Sequence, residues 1–106
     1  MTPHKKLQNE ILRAFGVRGD MRVWLNPRGV GLFGNRRVTF GVPGQADICG
    51  LLHTGRMVQI EIKVGPDKQS NDQKNFQAMI ERMGGLYILA RSVEDVRAAI
   101  EEAMKK

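Results

Sequence analysis

The chain has 106 residues, with seventeen Lys and Arg against eleven Asp and Glu, for a net charge of +6. That length accommodates one domain, expected to span 1–106, which buries only roughly 60–65% of its unfolded surface. An apolar content of 42% excludes a disordered tail, and no apolar run approaches the ~20 residues that cross a bilayer. Met1-Thr2-Pro3-His4-Lys5-Lys6 leads straight into a helical pattern rather than a signal-peptide core. Cys49 is the only cysteine, which excludes an internal disulfide and a cysteine-based zinc cluster. A reducing, cytoplasmic setting is therefore expected.

The charge is unevenly placed. Residues 1–59 carry nine basic and three acidic groups, while residues 60–106 carry eight of each. The excess is mostly arginine: Arg13, Arg18, Arg22, Arg28, Arg36, Arg37 and Arg56. Arginine makes forked contacts with phosphate and is weakly hydrated. A nucleic-acid partner is the function class this balance suggests, against an inert basic surface.

In chain order, Thr2-Pro3 reads as an N-cap followed by Pro at the first helical position. Leu7, Ile11, Ala14 and Phe15 recur at helical spacing, and Gly16 can end that helix. Residues 22–25 and 37–40 read as short strands. The glycine-rich stretch between them, Asn26 to Asn35, reads as a mobile basic loop. Residues 46–52 and 57–63 read as strands joined by a short turn, and residues 64–71 as a polar loop. A helix is predicted over roughly 72–83, stopped by Gly84-Gly85. Ser70-Asn71-Asp72-Gln73 fits a capping box at its start. Leu86 to Ala90 reads as a strand buried on both faces. Ser92 with Asp95 resembles a second capping box ahead of a helix carrying Val96, Ala99, Ile100 and Ala103. The core order is α-β-β-β-α-β with a C-terminal helix, an α/β fold with a mixed central sheet flanked by helices.

Gly29-Val30-Gly31-Leu32-Phe33-Gly34 matches G-x-G-x-x-G. That pattern marks a dinucleotide site only where a strand precedes it and a helix starts within it. Here Asn35 to Phe40 is strand-like, and no acid lies between Ile48 and Ile60. A nucleotide cofactor is not expected.

The chemistry concentrates in the hairpin. A three-residue loop, His53-Thr54-Gly55, sets Ile48 opposite Ile60 and Gly50 opposite Val58. On the other face Asp47 then falls opposite Glu61, Cys49 opposite Gln59, and Leu51 opposite Met57. Directly opposed residues have Cβ atoms about 4.5–5.5 Å apart, where like charges are destabilising. A divalent cation is the simplest reason for two acids there, because Mg²⁺ is held by one or two carboxylates. Lys63 lies on the same face, roughly 6.6 Å further along the strand than Glu61. It is close enough to act on a water or on charge developing at phosphorus. Two acids and a lysine on one sheet face suit metal-assisted phosphodiester hydrolysis. The plainer reading is a solvated polar face with Lys63 neutralising Glu61.

These residues resemble the PD-(D/E)xK nucleases, in which one strand starts with an acid and the next carries E-x-K. Here the motifs read Gly44-Gln45-Ala46-Asp47 and Glu61-Ile62-Lys63, with Pro43 four residues ahead of Asp47 rather than adjacent. More closely, the chain resembles the VRR-NUC family, the virus-type replication-repair nucleases. The matching features are Pro43 to Gly50, Ile60 to Lys63, Gln73 opening the next helix, and Gly84-Gly85-Leu86-Tyr87 leading into a strand.

The resemblance implies a restriction-endonuclease-like core and a Mg²⁺- or Mn²⁺-dependent DNA endonuclease. It implies metal ligation by Asp47, Glu61, the carbonyl of Ile62 and a first-helix glutamate, mapped onto Glu10. It implies that Lys63 positions or deprotonates water or stabilises the transition state, and that Gln73 orients Lys63 or water. Gln73 as a helix cap alone stays open beside that role. His4 and His53 match no family role and are not assigned to the metal. Cleavage is expected to leave a 5′-phosphate and a 3′-hydroxyl. Lys5, Lys6, Arg28, Arg36, Arg37 and Lys68 are the expected phosphate contacts. Small members of the family imply a homodimer acting on four-way or otherwise branched DNA in replication or repair, in a bacterial or phage-infected cytoplasm. The rival readings are a non-catalytic DNA-binding module and a small sequence-specific restriction-like enzyme.

Overall fold

The structure, a computed structural model, describes residues 1–26 and 29–105, with the side chains of 29–33 and 37–40 left aside. Helix α1 spans Pro3–Phe15, capped by the Thr2 hydroxyl, which accepts from the Lys5 amide. Five strands follow: β1 Met21–Leu25, β2 Gly29–Phe33, β3 Arg36–Phe40, β4 Ile48–Leu52 and β5 Met57–Ile62. Helix α2 spans Asn71–Arg82, strand β6 Leu86–Ala90 and helix α3 Val93–Met104.

The central sheet has the order β1-β4-β5-β6. β4 runs antiparallel to β1 and to β5, and β6 is parallel to β5. The central sheet and its helices follow the predicted core order α-β-β-β-α-β-α, while the strand read over 37–40 lies outside that sheet, within β3. The glycine-rich stretch does not form the expected loop. Its residues from Gly29 on build β2, which pairs antiparallel with β3 as a separate hairpin. Gly34, at φ +65°, supplies the left-handed residue that a tight hairpin turn favours.

Alternation along β5 divides the molecule into two layers. Val58, Ile60 and Ile62 point to one side and pack with Leu7, Ile11 and Phe15 of α1 and with Val96 and Ile100 of α3. Each fully buried side chain of this kind contributes about 1.5–3 kcal/mol. Gln59 and Glu61 point to the α2 side, where Phe76, Ile80, Tyr87 and Ala46 form a smaller cluster. The β4–β5 register matches the prediction at Ile48–Ile60, Cys49–Gln59, Gly50–Val58 and Leu51–Met57. Gly55, at φ +91°, turns the three-residue loop, and the Leu52 amide donates to the Arg56 carbonyl.

The ladder ends at the Ile48–Ile60 pair, one pair short of the expected Asp47–Glu61 opposition. Asp47 sits just ahead of β4, where its main-chain carbonyl accepts from the Asn26 amide at 3.0 Å. Gly44 positions this segment. Its φ is +79°, and a Cβ there would collide with the Asp72 carbonyl and the Gln73 amide of α2. Among the described residues, no helix is long and apolar enough to cross a membrane.

Gly44→Ala therefore combines left-handed strain with a backbone clash. It is expected to cost at least about 1–3 kcal/mol, read as a lower urea midpoint at unchanged m-value.

Candidate active site

The site forms where β4 begins and β5 ends. Asp47 and Glu61 are 5% and 2% exposed, unusual for carboxylates. Asp47 Oδ2 accepts a buried hydrogen bond from the Ile62 amide at 2.9 Å. That bond ties the first acid to the residue next to the second, and it explains why the ladder stops there. The Asp47 carboxylate takes over an amide that the backbone of the preceding segment leaves to it.

Lys63 follows Ile62 and is held by its own amide, which donates to the Ala90 carbonyl of β6 at 3.0 Å. Its Nζ lies 3.6 Å from Glu61 Oε2, with both side chains largely buried. The loop after Lys63 is pinned by Arg91, which donates to the Gly65 carbonyl at 3.0 Å and the Asp67 carbonyl at 2.7 Å. Nothing in the sequence pattern marked this arginine.

Gln73 caps the helix and also reaches an acid, Glu61, rather than Lys63. Its Oε1 accepts from the Ser70 amide at 2.9 Å, and the Ser70 hydroxyl accepts from the Gln73 amide at 3.1 Å, completing the capping box. Its Nε2 simultaneously donates to Glu61 Oε2 at 2.9 Å. An amide side chain has a donor and an acceptor end, so one residue can cap a helix and hold an acid. Ser92 differs: its hydroxyl caps α3, but Asp95 accepts from the Arg91 amide rather than from that of Ser92.

On the first helix it is His4 that stands beside Asp47. His4 Nε2 approaches Asp47 Oδ2 to 3.4 Å. Glu10 lies six residues later, about 240° around the helix at 100° per residue. It lines a shallow depression with Lys6, Leu7, Val64 and Arg91 instead. The structure thus does not bring Glu10 to Asp47 and Glu61. The signal for His4 was present: His4, Gln8, Ile11 and Phe15 form one stripe, whose later members are all buried. His53 lies in the hairpin turn at the other end of β4.

Polar groups support the acids from below. Asn26 Nδ2 donates to the Ala46 carbonyl and to Gln59 Oε1, each at 3.0 Å, and Gln45 Oε1 accepts from the Val42 amide at 2.8 Å. Tyr87, which accepts from Gln69 Nε2 at 3.2 Å, has its hydroxyl pKa pushed up to about 12. Burial is the main cause, and the negative charges of Glu61 and Asp47 add to it. It is a neutral phenol near pH 7. Burial also pushes the Cys49 thiol up, so it stays protonated.

Of the expected phosphate contacts, Lys5 and Lys6 are exposed directly after His4 in the first turn of α1. Lys68 is exposed in the loop between Lys63 and α2, and Arg36 is exposed at the start of β3. Arg28 and the side chain of Arg37 lie outside the described residues. Some of the basic excess serves the fold: Arg18 pairs with Asp20 at 2.7 Å, and Arg56 donates to the Gly84 carbonyl at 2.8 Å. A groove of about 450 Å³ between Asn26, Met57, Gln59, Phe76 and Met83 lies beside the acids and is not lined by them.

Carboxylate and imidazole are donors that divalent cations accept, and two buried carboxylates stand at neighbouring strand ends with an imidazole against one of them. Among the described residues, no three His, Cys, Asp or Glu side chains converge on one point. The arrangement is two neighbouring pairs, His4–Asp47 and Glu61–Lys63.

Ser70→Ala is expected to cost about 1 kcal/mol through the cap alone. Gln73→Ala is expected to cost more, because it removes both the bond to the Ser70 amide and the donor to Glu61. For a domain of this size each kcal/mol lowers the melting temperature by about 4–8 °C, readable by circular dichroism.

Compared with known proteins, the chain is matched by no family model and by no curated protein.

Proposed function

We propose that this chain is a Mg²⁺- or Mn²⁺-dependent DNA endonuclease that hydrolyses phosphodiester bonds, with branched DNA as its preferred substrate. The observation that carries this reading is the pair of buried acids at adjacent strand ends, with Lys63 Nζ 3.6 Å from one of them. Burying like charges together is costly, and such arrangements concentrate where chemistry needs them. The resemblance to VRR-NUC nucleases, carried by Asp47 and by Glu61-Ile62-Lys63, supports the same reading.

Asp47 and Glu61, with the carbonyl of Ile62, would hold the metal. When bound, the metal would supply Lewis acidity toward the scissile phosphate and toward water. Lys63 donates hydrogen bonds to an attacking water or to a phosphoryl oxygen as charge develops there. Gln73 keeps Glu61 and, through it, Lys63 in place. A water oxygen bonds to phosphorus as the P–O3′ bond breaks; the water gives up a proton to solvent, and the departing 3′ oxygen takes one up from solvent. Lys5, Lys6 and Lys68 bracket the acids in the chain and are suited to grip backbone phosphates. A homodimer would present two such sites to a two-fold branched substrate.

A basic binding module without catalysis is the rival. It is favoured by the structural work Asp47 already performs for the Ile62 amide.

Labelled four-way junction, fork, flap and linear duplex, incubated side by side with Mg²⁺ and Mn²⁺, separate the two. Cleavage is expected, strongest on branched DNA. Asp47→Ala and Lys63→Ala should each lower it by about 10²-fold or more. DNA binding measured without metal should survive in both and should weaken steeply between 50 and 200 mM salt. A wild-type protein that binds these substrates and cuts none of them would establish the binding module.

A further inference from the structure

We propose that Gln8 contacts the substrate, its side-chain amide donating to a non-bridging oxygen of the phosphodiester held beside Asp47 and Glu61. This inference rests on the phosphodiester-hydrolase reading of the site above. It adds to that site a neutral hydrogen-bond donor from α1.

The first observation is burial without a partner. Gln8 is 7% exposed, yet among the described residues its side-chain amide makes no hydrogen bond. The other buried amides are committed: Gln59 Oε1 accepts from Asn26 Nδ2 at 3.0 Å, and Gln45 Oε1 accepts from the Val42 amide at 2.8 Å. A buried polar group left unpaired weakens a fold, and native chains keep few of them. Leucine or methionine would occupy this place on the helix without that cost.

The second is position. At 100° per residue, His4, Gln8, Ile11 and Phe15 fall within about 60° of one another around α1. Ile11 and Phe15 pack in the apolar core, while His4, at the other end of the stripe, stands 3.4 Å from Asp47 Oδ2. Gln8 lies between them, where the stripe leaves the core and meets the strand ends. Helical side chains lean toward the N-terminus of their helix, so the amide extends toward the turn of His4 and the acids.

The third is chemistry. Nε2 carries two donor hydrogens, and the non-bridging oxygens of a phosphodiester are acceptors. A carboxylate at this place would add a third negative charge and repel phosphate. An ammonium would be drawn to an acid, as Lys63 Nζ is to Glu61 Oε2 at 3.6 Å. A neutral donor stays available until a ligand arrives. A partner that comes with the substrate accounts for both the burial and the missing bond: stability is given up in the free protein and recovered in the complex.

The test compares wild type with Gln8→Met and Gln8→Leu, by thermal melting and by cleavage of labelled four-way junction DNA with Mn²⁺. Both variants are expected to melt about 2–8 °C above wild type. Their kcat should fall about 10-fold or more, with KM for DNA changed by less than about 3-fold. Junctions carrying an Rp or an Sp phosphorothioate at the cleaved position locate the contact. Sulfur accepts hydrogen bonds weakly, so with one diastereomer the gap between wild type and Gln8→Met should close to less than about 3-fold. A gap of equal size on the oxygen substrate and on both diastereomers overturns the proposal. Variants that melt below wild type as they lose cleavage identify a structural amide and overturn it too. Variants that cut as fast as wild type overturn it and leave the nuclease reading standing. Wild type that cuts no DNA overturns both this proposal and the reading beneath it.

Discussion

The hydrogen bond from the Ile62 amide to Asp47 Oδ2 fixes the geometry on which the rest of the site depends. It joins two strand ends at the point where backbone pairing between them stops. A buried amide without an acceptor costs about 1–3 kcal/mol, so a side chain must meet it where the backbone does not. By accepting that bond, Asp47 is drawn out of solvent and set beside the segment that carries Glu61 and Lys63. One interaction thus ends the ladder, buries an acid and sets the order of the site.

Burying that acid next to a second one raises an electrostatic problem, and the neighbouring elements answer it. Gln73 donates to Glu61 from the first turn of α2, Lys63 stands 3.6 Å from the same carboxylate, and His4 faces Asp47 from α1. Each partner comes from a different element, so the packing of helices on both sides of the sheet determines the polarity of the site. Gly44 couples the two sides more tightly still. Its left-handed backbone lets the segment before Asp47 press against the start of α2, where Gln73 lies. A dedicated cation site is one outcome of such an arrangement. Lysine, amide and imidazole groups already reduce the repulsion between the acids, and a divalent ion would complete the balance.

The sequence made the frame readable where local chemistry and burial agreed. Alternation of Ile48, Gly50, Val58 and Ile60, together with a three-residue turn ending in Gly55, favoured the register that the hairpin adopts from Ile48–Ile60 to Leu51–Met57. Ser70 and Gln73 announced the helix cap, and Gly84 its stop. Three features were hidden, each for a physical reason. The β2–β3 hairpin was obscured because Gly29, Gly31 and Gly34 read as loop residues, although antiparallel pairing tolerates glycine where strands turn tightly. Asp47 left the ladder because a side-chain acceptor replaced a backbone one, which no periodicity records. His4 was passed over because a histidine near a terminus is usually solvated. The stripe it shares with Gln8, Ile11 and Phe15 carried the direction of that helix face. Glu10 illustrates the same limit from the other side: its residue type suggested the role, and its position on the helix sets it in a separate depression.

The most direct measurement is the anomalous scattering of Mn²⁺ in crystals of the full chain. A single peak is expected about 2.0–2.3 Å from a carboxylate oxygen of Asp47 and of Glu61. No peak at these carboxylates under saturating Mn²⁺, in crystals where both side chains keep the positions described above, would contradict a metal-dependent site at this sheet edge.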